Sequence, residues 1–176
     1  MVTKFSKKIM KKFKINIGSH YSWGLHRFGI TFKNKIAARA KFDASCLYDL
    51  KNINNLDINK LFGFSTTFFH HNQSARIGWR RHNDNSIEVL TYSYNNHKRV
   101  QQTLLGIVKP DQLFTCTIKD NETHYVYTFH SEDVFTTISD KKQSDKVLFK
   151  YMLWPYFGGD QEAPHEMLIH LELVKI

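Results

Sequence analysis

The strongest constraint on this chain is a two-residue rhythm that recurs along most of its length. In "FKINI", Phe13, Ile15 and Ile17 share one face, and in "ARAKF" Ala38, Ala40 and Phe42 do the same. "SARIGWR" sets Ala75, Ile77 and Trp79 against Arg76, Gly78 and Arg80, while "LFTCTIK" aligns Phe114, Cys116 and Ile118. "HYVYTF" aligns Tyr125, Tyr127 and Phe129, and "VLFKYML" aligns Val147, Phe149, Tyr151 and Leu153. The closing "MLIHLELVKI" aligns Met167, Ile169, Leu171 and Leu173. Successive side chains of a strand point to opposite faces, so each segment has one apolar side to bury.

Polar clusters punctuate these segments: "NDNS" (Asn83–Ser86), "NNHK" (Asn95–Lys98), "KPDQ" (Lys109–Gln112) and "KDNE" (Lys119–Glu122). Asn and Asp tolerate the backbone torsions of tight turns, and the spacing is that of a sandwich or barrel. Roughly ten strands exceed what one sheet usually carries, so two sheets are expected. The expected fold is all-β: a two-sheet antiparallel β-sandwich of jelly-roll type. The rhythm lapses over "DASCLYDLKNINNLDINKLFGFS", which predicts a short helical or irregular insert near residues 44–63. There Asp57 would cap a turn running to Phe62, with Gly63 ending it. "DKKQSDK" (Asp140–Lys146) reads as a loop.

At 176 residues the chain has the length of one domain. The formal charge is +9, but Lys4, Lys7, Lys8, Lys11, Lys12 and Lys14 supply most of it. The division expected is therefore a basic arm over residues 1–14 and one sandwich domain over 15–176. Val2, Phe5, Ile9 and Phe13 recur near helical spacing in the arm, yet a solvated lead-in to the first strand accounts for it. Met10 could equally be the start. The modest charge beyond the arm argues against nucleic acid as partner. No apolar run approaches a membrane span, and no secretory leader pattern is seen. Cys46 and Cys116 lie far apart in sequence and lack metal-ligand spacing, so reduced thiols in a cytoplasmic protein are expected.

Chemistry concentrates in the hairpin "SARIGWRRHNDNSIEVLTYSY". With Asn83–Asn85 as its loop, His82 faces Ser86, Trp79 pairs with Val89 and Ile77 with Thr91. The opposite face then pairs Arg80 with Glu88 and Arg76 with Tyr92, and Gly78 leaves a gap beside Leu90. Cross-strand charge pairs are a sufficient structural reason for such a face. The functional alternative is a ligand strip in which Arg76 and Arg80 hold acidic groups in water and Glu88 orients Arg80. Tyr92 and Tyr94 would stack on rings, and Gly78 would let a ligand approach the backbone.

"LWPYFGGDQEAPHEM" is read first as a rigid corner set by Pro155, Gly158, Gly159 and Pro164. Tyr156 and His165 are its candidate ligand contacts; two carboxylates do not make a calcium site. "HEMLIH" lacks zinc-protease spacing, and on a strand His165 and His170 would point to opposite faces. No nucleophile elbow, P-loop or dinucleotide fingerprint is present, so neither cofactor nor metal is expected.

Together, "SARIGWR…IEVLTYSYNN" and "LWPYFGGDQEAPHEMLIHLE" resemble a group of small single-domain bacterial proteins without an assigned activity. The Gly-Gly…Ala-Pro-strand resembles the closing strand of concanavalin A-like jelly rolls, a fold of lectins, glycan-binding modules and polysaccharide lyases. The Gln-Ile/Val-His and Tyr-x-Lys-x-Gly-x-Tyr motifs of jelly-roll alginate lyases are absent, so no catalytic residue carries over. The expected function is non-enzymatic binding of a carbohydrate or acidic glycan. A lyase or hydrolase, and a homodimer burying the same strip, are the alternatives.

Overall fold

The computed structural model describes residues 10–23, 29–51, 53–142, 147 and 149–176. The arm before Met10, with Val2, Phe5 and Ile9, lies outside the described residues. So do residues 24–28 of the His-rich "SHYSWGLHRF" and residues 143–146 of the polar stretch.

The fold is a β-sandwich of two antiparallel sheets. One sheet contains β1 (Lys11–Ile15), β3 (Lys35–Phe42), β9 (Phe114–Asp120), β10 (His124–His130), β11 (Phe135–Lys141) and β13 (Met167–Val174). Its order is β1-β13-β3-β9-β10-β11, so the first and last strands are neighbours. The other contains β2 (Ile30–Thr31), β4 (Asn59–Ser65), β5 (Gln73–Asn83), β6 (Ser86–Asn95), β7 (Lys98–Arg99), β8 (Leu104–Val108) and β12 (Lys150–Leu153). Its order is β2-β12-β4-β5-β6-β7, with β8 also paired to β6.

The alternating residues meet between the sheets. Phe42 of β3 packs on Trp79 of β5 at 5.0 Å and on Phe114 at 5.5 Å, and Phe64 of β4 meets Tyr125 of β10 at 5.7 Å. Such aromatic pairs contribute about 0.5–1.5 kcal/mol each beyond the area they bury. Both cysteines are free and buried in this layer. No helix among the described residues is long and apolar enough to cross a membrane.

Four local expectations are corrected. The strand β1 already begins at Lys11 and pairs with β13 through Ile15, while Ile17 sits exposed in the turn that follows. The irregular interval holds two 3-10 turns, Ala44–Cys46 and Ile53–Leu56, but it ends before Asn59, where β4 replaces the expected helical turn. Its rhythm is hidden by a bulge between Lys60 and Phe62, which leaves Leu61 and Phe62 both buried. In β12 the faces are reversed: Lys150 and Met152 point inward, and Phe149 is exposed. The cause is Asp120, whose buried carboxylate takes Lys142 at 2.6 Å and Lys150 at 3.2 Å. The same attraction draws Lys142 out of the expected loop and into the interior.

Candidate functional site

The β5–β6 hairpin has the register expected from its sequence over most of its length. Arg76 faces Tyr92, Gly78 faces Leu90, Trp79 faces Val89 and Arg80 faces Glu88. Only the tip differs. Asn83 pairs with Ser86 and a bulge falls at His82, leaving a two-residue turn of Asp84 and Asn85. Asn83 Oδ1 accepts from Asn85 N and from the Ser86 hydroxyl, which stabilises the tighter turn.

The face that carries the arginines is not one open strip. Ile58 lies over Gly78, where an added Cβ would come within 2.4 Å of Ile58 Cγ2. With Leu90 and Tyr92, Ile58 forms a small apolar cluster between the two guanidinium groups. The gap at Gly78 therefore admits the protein's own side chain rather than a ligand. Arg80 lies on one side of this divide. Its Nε donates to Glu88 Oε2 at 2.6 Å and its Nη1 to Leu56 O at 3.1 Å, while His82 contacts Glu88 Oε1 at 2.9 Å. Burial works against the charge of Glu88, but hydrogen bonds from Arg80 and His82 hold its pKa below the usual value. This is a satisfied structural ion pair.

Arg76 lies on the other side and is only 6% exposed, which corrects the expectation that both arginines project into water. It reaches the floor of a cleft of about 710 Å³ on the outer face of the second sheet. Gly63, opposite Arg76 on β4, makes room for its stem. The guanidinium stacks on Tyr92, with Cζ 4.8 Å from the ring centroid. Its buried Nε has no hydrogen-bond partner, and no carboxylate among the described residues forms an ion pair with it. Burial lowers its pKa, a direction partly opposed by the surrounding tyrosines.

Lys60 joins Arg76 on this floor. It is 7% exposed, and its Nζ lies 4.8 Å from the Tyr92 ring centroid and 5.2 Å from that of Tyr156. The ammonium position donates to Gly158 O at 2.8 Å. Burial, and then the charge of Arg76, push the Lys60 pKa down to about 7. His70 and His71 line the cleft from the loop after β4. Burial and Arg76 bring His70 down to about 4 and move His71 in the same direction. Tyr94 and the exposed Arg99 pair across β6 and β7 and line the far side, while Asp57 and Asp160 supply an acidic edge.

The corner after β12 forms the remaining wall. Lys60 N donates to Tyr156 O and Tyr156 N to Lys60 O, at 2.8 and 2.9 Å, so the corner is clamped onto β4. Phe157 turns into the core against Tyr48 at 4.9 Å, while Tyr156 remains in the cleft under His20 and Tyr21. Gly158 has φ +75°, and Asn59 Oδ1 accepts its backbone N–H. The segment is thus a corner and a cleft wall at once.

No protein-family model and no curated protein matches this chain. Among solved structures it is similar to scytalido-glutamic peptidase bound to a peptide-based transition state analog. That likeness has a TM-score of 0.42 and 9% identity over 93% of this chain and 64% of that one. A second complex of the same peptidase gives 0.44 and 9%, over 94% and 65%. Chicken galectin 2 gives 0.40 and 8%, over 91% of this chain and 98% of that one. The chain spans just under two thirds of the peptidase. These likenesses are distant, and no activity or ligand passes from them to this chain.

Of the residues singled out from sequence, the structure gathers Arg76, Tyr92, Tyr94 and Tyr156 in the cleft and leaves Arg80 and Glu88 outside it. His165 is also elsewhere, exposed, with its Nε2 2.7 Å from Ser45 O. Sequence reasoning missed Lys60, because the bulge obscured which face of β4 it occupies. It also missed His70 and His71, whose approach to β6 depends on the path of a loop. Among the described residues no group of three or more His, Cys, Asp or Glu could hold a metal ion.

Proposed function

We propose that the cleft binds an acidic carbohydrate or similar ring-bearing acid without transforming it. The observation that carries this reading is the buried Arg76 guanidinium, which lacks a carboxylate partner among the described residues and faces an aromatic-lined cleft. A buried charge without a partner is costly, and Tyr92 alone offsets only part of that cost. A ligand carboxylate would accept two parallel hydrogen bonds from the planar fork. Tyr94 offers its ring to a sugar from the cleft wall, and Asp57 and Asp160 offer acceptors to hydroxyls. The resemblance of the closing strand to glycan-binding jelly rolls points the same way, as fold-level analogy only. Two free, buried thiols suit a reducing, cytoplasmic setting.

Titration calorimetry with methyl glucuronide against methyl glucoside tests the reading. The acid should bind more tightly, and Arg76→Met should weaken it about tenfold or more, as expected for a charge-assisted hydrogen bond. Arg80→Ala should leave the affinity unchanged. Equal binding of both sugars, or full affinity in Arg76→Met, overturns the proposal.

A further inference from the structure

Lys60 and Arg76 are diagonal neighbours on one face of β4 and β5, because Lys60 pairs with Gly78 and Arg76 with Gly63. Their charged ends converge on the same ring, each 4.8 Å from the centroid of Tyr92. Burial disfavours the charge of Lys60 first, Arg76 and then Arg99 add repulsion, and Asp57 and Asp160 oppose it in part, so the net pressure falls on the group able to release a proton. Arginine keeps its charge in proteins, whereas lysine does not have to. Lys60 has no carboxylate ion-pair partner among the described residues. The one hydrogen bond its amine makes among the described residues, to Gly158 O, uses an N–H and leaves the lone pair of a neutral amine free. A desolvated lysine beside another cation is a recognised arrangement for a nucleophilic amine.

We propose that Lys60 Nζ condenses with the carbonyl carbon of a 2-oxo acid whose carboxylate is held by Arg76. This rests on the reading of the cleft as an acid-binding site and deepens it: acids without a neighbouring carbonyl, such as methyl glucuronide, are held by Arg76 alone, and those that carry one are also captured reversibly as an imine. The amine lone pair forms the C–N bond as the carbonyl π bond breaks, and an amine proton passes to the oxygen to give a carbinolamine. That hydroxyl leaves with the second amine proton as water, and the nitrogen lone pair closes the C=N bond. No oxidant or reductant is consumed. The adjacency of carboxylate and carbonyl in the ligand matches the adjacency of Arg76 and Lys60 in the cleft.

The test is reductive trapping with cyanoborohydride on the full chain, read by intact mass and peptide mapping. Pyruvate should place one reduced adduct on Lys60. Lactate, which has the carboxylate but no carbonyl, should slow labelling without forming an adduct. Acetone, with the carbonyl alone, should label Lys60 less efficiently, and Arg76→Met should reduce pyruvate labelling to the acetone level. Labelling should reach half its maximum near pH 7, where Lys60 loses its proton. Lys60→Met should abolish the adduct, and a wild-type circular dichroism spectrum with a single cooperative melt verifies that the variant is folded. An adduct spread over surface lysines, or one that persists in Lys60→Met, overturns the proposal. If methyl glucuronide binds through Arg76 but pyruvate leaves Lys60 unlabelled, the imine is refuted and the acid-binding reading stands. If pyruvate and acetone label Lys60 equally in wild type and Arg76→Met, both readings fall.

Discussion

Gly63 sits directly across from Arg76 in the β4–β5 ladder, and a Cβ at Gly63 would lie 2.7 Å from Arg76 Cγ. The same atom would come within 2.2 Å of Ala75 O, which is backbone and has little room to move. Gly63→Ala should therefore cost about 1–3 kcal/mol, the usual range for overpacking. It should also displace the Arg76 stem and weaken binding of methyl glucuronide. Chemical denaturation and calorimetry on one variant test both effects; unchanged stability would show that Arg76 does not depend on this gap.

Asp120 bridges Lys142 and Lys150, and all three side chains are fully buried. Removing the only carboxylate of such a group leaves buried ammonium groups without their counter-charge. Asp120→Asn should cost about 3–5 kcal/mol in urea denaturation. Arg81→Ala, which removes partly exposed contacts to Asp49 and Asp84, should change stability by about 1 kcal/mol or less. Equal costs for the two substitutions would contradict this assignment of roles.

The parts of the fold legible in the sequence are those set by local alternation. Trp79, Phe114, Tyr127 and Ile169 could be assigned inward because each sits in a run whose large apolar residues recur at every second position. The β5–β6 register was legible for the same reason, since slipping it by one residue would expose Trp79. What alternation cannot reveal is partnership between distant segments. Lys150 goes inward because Asp120 waits there, thirty residues earlier in the chain, and Lys60 meets Arg76 only because a bulge re-aims β4. The apparent Arg76–Arg80 strip failed for a related reason. Ile58, from outside the hairpin, fills the space over Gly78 and divides it.

Lys60 also makes stability depend on pH in a definite direction. Its pKa falls from an ordinary 10.5 in the unfolded chain to about 7 in the folded protein. Between those values the unfolded chain holds a proton that the folded chain has released, so stability rises with pH across that window. The slope contributed by one such group is at most about 1.4 kcal/mol per pH unit. Thermal melts of wild type and Lys60→Met should therefore differ most near neutral pH, with the variant the more stable. The difference should shrink toward pH 10. A constant difference over that range would mean that Lys60 titrates normally.

Gly158 ties the cleft wall to its floor, and the consequences of changing it follow from its backbone. At φ +75° a side chain is strained, and a Cβ would come within 2.1 Å of Gln161 O. Gly158→Ala should cost more than about 1 kcal/mol, because the native torsion is incompatible with the new residue. The loss should not stop at stability. Gly158 O accepts from Lys60 Nζ and Gly158 N donates to Asn59 Oδ1, so a shifted corner releases the first two residues of β4 from the loop. Lys60 would then gain access to water, and its pKa should move back up toward the ordinary lysine value. Reductive methylation followed by NMR titration of the labelled amine reads that movement directly. A Gly158→Ala variant that is destabilised but leaves the Lys60 titration near pH 7 would show that burial, and not the loop carbonyl, sets the amine alone.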